Sequence, residues 1–302
     1  MTTKRVRLIS SKTLLGLALM LPMLVLLFSL RLYPIVSAFV HSFFRWDGFE
    51  TGRFLGLANY ERLIRDPNMI RAAANIGKFV LTRLVLNLTF PMLGALLIYH
   101  LRAQRTGYVY RVLFMVPMVV PLIVVLLTWK FIYHPYDGVL NRVLEVIGLE
   151  QLQRIWLGDF DTALWAVIGI GAPWVTGLGI SGFALLIYLA GLQQISTDVM
   201  DALTVDGVRM PTRIFRIEIP LIADQIKVIA VLTTINTLQS YVPVMIMTGG
   251  GPSNASLVPG LYLYQTAFHH DRFGYAASIG VVMAVVLVAV TMLTNRFVRT
   301  RQ

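Results

Sequence analysis

The chain has 302 residues, 57% of them hydrophobic and 14% charged, with a net charge of +11 and no cysteine. A soluble domain is about 45–50% apolar and about 25% charged, so this composition excludes an ordinary soluble domain. The missing cysteine excludes disulfides and thiolate metal sites. The basic balance does not point to nucleic acid either, because no basic stripe with interleaved aromatics stands outside the apolar runs.

A bilayer-spanning helix needs roughly 20 mainly apolar residues, and several runs qualify. Residues 1–13 carry Lys4, Arg5, Arg7 and Lys12, and an apolar run over 14–40 follows, whose one charge is Arg31 and which also holds Pro34. Val36-Ser37-Ala38 is similar to a signal-cleavage site, but a signal's apolar region is about 7–15 residues, so the run reads as an uncleaved first span. Phe43, Phe44 and Trp46 suit a membrane interface. A second span is predicted over 75–101, with Lys78 and Arg83 near its start. The third, over 108–133, holds Pro117 and Pro121 and should be kinked.

Residues 134–161 are polar, with a turn at Asp137-Gly138 and a short amphipathic piece over 139–147. The fourth span, 162–192, is rich in glycine (Gly169, Gly171, Gly177, Gly179, Gly182), which permits close helix packing. The fifth, 221–247, is followed by the turn signal Gly249-Gly-Gly-Pro252, and the last covers 273–295. The expected fold is all-α: one polytopic membrane domain of about six transmembrane helices.

Between spans four and five lies a polar stretch, 198–220. It carries Asp198, Asp201, Asp206, Glu218, Arg209, Arg213 and Arg216, and it exceeds the two to eight residues that a helix connection needs. Six spans put both ends and this stretch on one side, with thirteen Lys and Arg there against eight in the longer loops of the other side. The positive-inside rule therefore places both termini and the stretch in the cytoplasm. A short helix is expected here, with Thr197 or Asp198 near its cap. Met200, Leu203 and Val208 should form its apolar stripe, and Pro211 should stop it.

The chain contains no Gly-x-x-x-x-Gly-Lys-[Ser/Thr] run to cradle a nucleotide, no His-Glu-x-x-His and no Gly-x-Ser-x-Gly. His269-His270-Asp271 reads as a solvated loop and not a metal site. No catalytic centre or bound cofactor is expected, so ATP-driven work would need hydrolysis by another subunit.

The spacing Asp201-Ala202-Leu203-x-x-Asp206-Gly207-Val208, ending Ile217-x-Ile-Pro220, resembles the "EAA" loop of binding-protein-dependent ABC importer permeases. That pattern reads Glu-Ala-Ala-x-x-Asp-Gly-Ala, then Ile-x-Leu-Pro. Leu203 and Val208 replace alanines, and Pro211 stands where an aromatic is common. Gly56-Leu-Ala-Asn-Tyr60 with Asp66-Pro67, Ala190-Gly-Leu-Gln, Thr248-Gly-Gly-Gly-Pro252 and Phe273-Gly-Tyr-Ala are similar to the maltose-transporter-type, carbohydrate-uptake branch. The Gly-Gly-Gly-Pro turn resembles the first-type permease of a heterodimeric pair.

The resemblance implies an inner-membrane permease that pairs with a second permease, two ATPase subunits carrying ATP and magnesium, and an extracytoplasmic solute-binding protein that delivers a sugar. It also implies that Asp201, Ala202, Leu203, Asp206, Gly207, Ile217 and Pro220 couple to the ATPase. Polar groups inside spans usually face the bundle interior or a cavity. Asn236, Gln239, Ser240 and Tyr241 in span five are therefore the expected pathway residues, with Trp174 as a stacking platform. Arg31, Lys78, Arg83 and Lys130 stand near span ends or alone, which gives no reason to expect an anionic substrate. The alternatives are a polyol or glycerol-phosphate-type cargo in the same class, or a self-contained secondary transporter; the spans lack the acidic relay that the latter usually needs.

Overall fold

The computed structural model describes residues 11–101, 103–170 and 181–297. It is helical apart from one short hairpin, and its chain falls into two compact units, one running up to Leu63 and including Thr266–Val281, the other comprising Ile64–Gln265 with the residues from Val282 on.

In the first unit, α1 (Ser11–Leu27) runs through a wider π-type turn (Phe28–Leu32) into α2 (Tyr33–His41). Pro34 explains the turn: it has no N–H to offer the carbonyl four residues earlier, and the helix widens to accommodate it. An unexpected antiparallel hairpin follows, β1 (Phe44–Trp46) with β2 (Thr51–Phe54). Its turn is held by Asp47, whose Oδ1 accepts from Phe49 N and Glu50 N at 3.1 Å each. Those bonds, led by the one from Phe49, hold the Asp47 carboxyl below the usual carboxylate range.

The Gly56-Leu-Ala-Asn-Tyr60 segment leads into α3 (Ala58–Arg65). Asn59 Nδ2 donates to Ser42 O at 2.8 Å and to Phe44 O at 3.1 Å, and Tyr60 OH meets Ser42 Oγ at 2.6 Å. Gly274, in α16 (Phe273–Phe297), lies so close to Phe44 O that a Cβ there would overlap it.

The second unit is organised on α4 (Pro67–Tyr99), 33 residues long. Asp66 caps it, with Oδ1 accepting from Asn68 N at 2.9 Å, and Pro67 stands in the first turn, where its missing N–H costs nothing. The helix thus begins eight residues before the apolar run does. Arg83, expected near its start, lies at its midpoint.

Next come α5 (Gln104–Met115), a tight turn (Val116–Val119) and α6 (Leu122–Ile132). The expected kink is an 89° bend. Val120 is extended, φ −72° and ψ 124°, as a residue before proline is driven to be. In the polar segment that follows, α7 (Val139–Val146) matches the predicted amphipathic piece. There, Asn141 Nδ2 donates to Pro135 O and Arg154 O, while its Oδ1 accepts from Trp156 Nε1 at 2.8 Å.

Where one fourth helix was expected there are two, α8 (Ala163–Gly169) and α9 (Gly182–Gln193). The fifth is likewise divided into α13 (Ala223–Leu238) and α14 (Val242–Met247). Among the described residues, three helices are continuous, long and apolar enough to cross a membrane (Ala18–His41, Pro67–Tyr99 and Phe273–Thr294), and two bent pairs meet the same test jointly.

Two apolar cores form at different levels of α4. One gathers Ala72, Ile76 and Phe79 with Leu126, Val167 and Val244. The other gathers Ala95, Leu96 and Ile98 with Leu185, Tyr188 and Ile229. Within the first, Asn75 Nδ2 donates to Ala255 O and Leu257 O at 2.9 Å each, tying the Gly249–Pro252 turn region to α4.

Candidate functional site: the polar segment and the cavity between the cores

The polar stretch forms α10 (Thr197–Val205), α11 (Met210–Arg213), a π-type turn (Ile214–Glu218) and α12 (Ile219–Leu221). The residue at the N-cap position of α10 is Ser196, not Thr197 or Asp198; Asp198 sits in the first turn, where a negative charge suits the helix dipole. The stripe of Met200, Leu203 and Val208 is half-buried, while Asp201, Ala202 and Asp206 are exposed on the other faces.

The helix ends in a Schellman arrangement: Gly207 N donates to Thr204 O at 3.2 Å and Val208 N to Leu203 O at 3.1 Å. Gly207 has φ +61°, a left-handed conformation that any Cβ penalises, with open space around it. Pro211 does stand beyond the first helix, but it also sits in the first turn of the next one. Pro220 has no N–H for Arg216 O, which accounts for the π-type turn before it. Ile217 is half-buried and Pro220 exposed, while Val205 (87% accessible) and Phe215 are apolar and open.

What secures the segment is a residue the motif does not mark. Glu218 is fully buried (0% accessible). Its Oε1 accepts from Arg213 Nε at 2.7 Å and its Oε2 pairs with His100 Nε2 at 3.0 Å. Arg213 Nη2 also reaches Met200 Sδ at 3.0 Å. His100 is the residue that closes α4, so one carboxylate joins the apolar stripe of α10 (through Arg213 and Met200), α11 and the end of the longest helix.

Between the two cores lies a cavity of about 400 Å³, within the 300–1,000 Å³ common for ligand pockets. Its polar wall is Thr233, Asn236, Thr237 and Ser240 of α13 and its C-terminal turn, with Asn87 of α4 and Ser181. The spacing 233, 236, 237, 240 is one helical face. Of the expected pathway residues, Asn236 and Ser240 line the cavity, and Gln239 lies off that face and does not. Tyr241 stacks on Tyr264, centroids 6.0 Å apart, and packs against the first core. Trp174 lies outside the described residues.

Arg83 and Phe79 also line the cavity, so Arg83 is neither near a helix end nor remote from the polar face. Gly182 lies against Phe114 O and 3.0 Å from Met118 Sδ when a Cβ is placed on it, so α9 starts in close contact with α5.

Comparison with known proteins agrees with this architecture. A family described as the binding-protein-dependent transport system inner membrane component matches residues 90–302. The chain is 31% identical to the probable ABC transporter permease protein YurN of Bacillus subtilis, over 91% of this chain and 93% of that one. It is 30% identical to the diacetylchitobiose uptake system permease protein NgcF of Streptomyces coelicolor, over 88% and 77%. It shares the fold of a chain in the structure of a bacterial alginate ABC transporter in complex with an alginate pentasaccharide-bound periplasmic protein, with a TM-score of 0.81 at 21% identity, covering 95% of each. The family match covers the polar segment and most of the cavity wall, and with it the chain belongs to the binding-protein-dependent transport system inner membrane components, the permeases of ABC transporters.

Proposed function

We propose that this permease forms half of the translocation pathway of an ATP-driven importer for a sugar or oligosaccharide. A second permease completes the pathway, two ATPase subunits hold the ATP and magnesium, and an extracytoplasmic binding protein delivers the cargo. Both termini and the 198–220 segment face the cytoplasm. The observation that carries the reading is the exposed Asp201–Gly207 helix, locked from behind by the buried Glu218 and flanked by open apolar side chains such as Val205. Such a helix offers an ATPase surface something to push. The sugar assignment draws support from the hydroxyl- and amide-lined cavity and from relatives named for sugar uptake. The test is uptake into proteoliposomes holding both permeases, with and without the ATPase subunits. Uptake that needs ATP and those subunits is expected; equal uptake by the permeases alone would make the chain a secondary transporter.

In this reading Asp201, Ala202, Leu203, Asp206, Gly207, Ile217 and Pro220 serve the ATPase contact. Gly207→Val should raise the ATP hydrolysed per cargo imported several-fold while the protein still assembles, because the left-handed conformation costs an ordinary residue about 1–2 kcal/mol and the helix end would re-form elsewhere. Gly207→Asn, which tolerates that conformation, should behave far more like wild type. Equal stoichiometry in all three proteins would remove Gly207 from the coupling step.

The cavity separates two neighbours on α13 and its end. Asn236→Ala should lower transport several-fold, through KM more than through maximal rate, whereas Gln239→Ala should leave it near wild type. Identical effects of the two substitutions would mean that the cavity wall is not the pathway.

A further inference from the structure

We infer that the cavity holds an oxyanion-recognition site centred on Arg83, so that the cargo is a sugar bearing a carboxylate or sulfate group. This rests on the proposal that the cavity is the cargo pathway. Arg83 is the midpoint of a 33-residue apolar helix and only 3% accessible. A guanidinium stays charged in proteins, and a charge in the middle of a span marks a pathway or a partner. Yet no carboxylate is near it: among the described residues lining the cavity, Arg83 is the only charged one.

Its described hydrogen bonds go to two backbone carbonyls where α8 ends, Nη2 donating to Ile168 O at 2.9 Å and more weakly to Ile170 O at 3.5 Å. Nε and Nη1 are buried without a partner. Three of the five N–H donors of the side chain are therefore idle, in a place where buried polar groups are otherwise nearly always paired. The Phe79 ring, 5.6 Å from the guanidinium carbon, adds attraction to the cation but neutralises no charge.

One helical turn along, Asn87 repeats the pattern. Its Nδ2 donates to Thr233 Oγ1 at 3.2 Å, and its Oδ1 is buried with no partner. Arg83 and Asn87 stand at i and i+4, on one face of α4, and both line the cavity. The wall thus combines idle cationic donors with an idle acceptor one turn away, and Asn236, Thr237 and Ser240 face them from α13. An oxyanion answers the first and a ring hydroxyl the second, and an acidic sugar carries both. A neutral sugar would leave the guanidinium unneutralised, and a free inorganic anion would leave the amide unanswered.

The test uses the full-length chain, purified with the subunits that accompany it and placed in nanodiscs, with weak binding read by saturation-transfer NMR. The probes are digalacturonate, its uncharged dimethyl ester and glucose 6-sulfate. Wild type should bind at least one of the two anions about 10-fold or more tightly than the ester. Which anion is preferred assigns carboxylate or sulfate. Arg83→Gln should erase that preference, and Arg83→Lys should keep part of it.

No preference in the wild-type protein, where folding of a variant is not in question, overturns the inference, as does a preference that survives Arg83→Gln. Arg83 would then serve only the carbonyls of α8. Because binding is read without ATP, the two readings fail separately. ATP-independent uptake beside an intact anion preference sinks the importer, and ATP-dependent uptake without the preference sinks the site.

Discussion

Glu218→Ala should abolish coupled uptake while the chain still inserts in the membrane. The substitution leaves the Arg213 guanidinium without its carboxylate and frees His100, and removing one partner of a buried pair costs about 3–5 kcal/mol. That cost falls on the junction between α10, α11 and the end of α4, because Arg213 is bonded both to Glu218 and to Met200 and Glu218 also meets His100. The apolar helices do not depend on the junction to enter the bilayer. Trypsin added to the cytoplasmic face should therefore cut near Arg209, Arg213 and Arg216 faster in the variant. Arg213→Ala should produce a similar loss, and the double variant should lose much less than the two losses added, since contacting groups share an interaction energy of about 0.5–3 kcal/mol. Simple additivity would show that the pair is not the link between α10 and the end of α4.

Gly182→Val should stop transport by a different route. At the first position of α9 a side chain would meet the backbone oxygen of Phe114 and the Met118 sulfur. Backbone cannot rotate aside, and overpacking of this sort costs about 1–3 kcal/mol. Because Gly182, Met118 and Ser181 all line the cavity, the displacement of α9 would also deform the cavity wall. Gly182→Ala should show a weaker version. The measurement is uptake against thermal stability of the assembled complex. A valine variant with wild-type uptake would show that α9 and α5 need not approach this closely during the transport cycle.

The short helix of the polar segment and its end are legible in the sequence because a local rule governs them. Gly207 must be glycine for a left-handed helix end, and the 201–220 spacing is readable in one dimension. Glu218 is different: its partner His100 is 118 positions away, and nothing in the local pattern predicts that a glutamate in a polar stretch is fully buried. Arg83 was misplaced for a more instructive reason. Apolarity alone puts the helix start at residue 75, whereas Asp66-Pro67 is a cap followed by a first-turn proline, a signal present in the sequence that moves the start back to 67 and Arg83 to the middle. Gln239 and Tyr241 were grouped with Asn236 by polarity, but the 3.6-residue period selects only 233, 236, 237 and 240. The ends of α8 at Gly169 and of α13 at Leu238 leave no mark in hydropathy, because apolar residues continue past both.

The bend between α5 and α6, the start of α9 and the end of α13 all border the cavity, which both apolar cores help to line through Phe79 on one side and Ala184 and Ile229 on the other. The interior is therefore a pair of dry blocks separated by a wettable seam. The wall mixes hydroxyls and amides with Phe79, Met118, Leu122 and Leu232, so water can solvate part of what a small movement there would expose. Deformation inside either core must instead open close-packed side chains. If the cavity is the cargo pathway, movement between the two cores is expected to take place along this partly polar seam, where the packing is already interrupted.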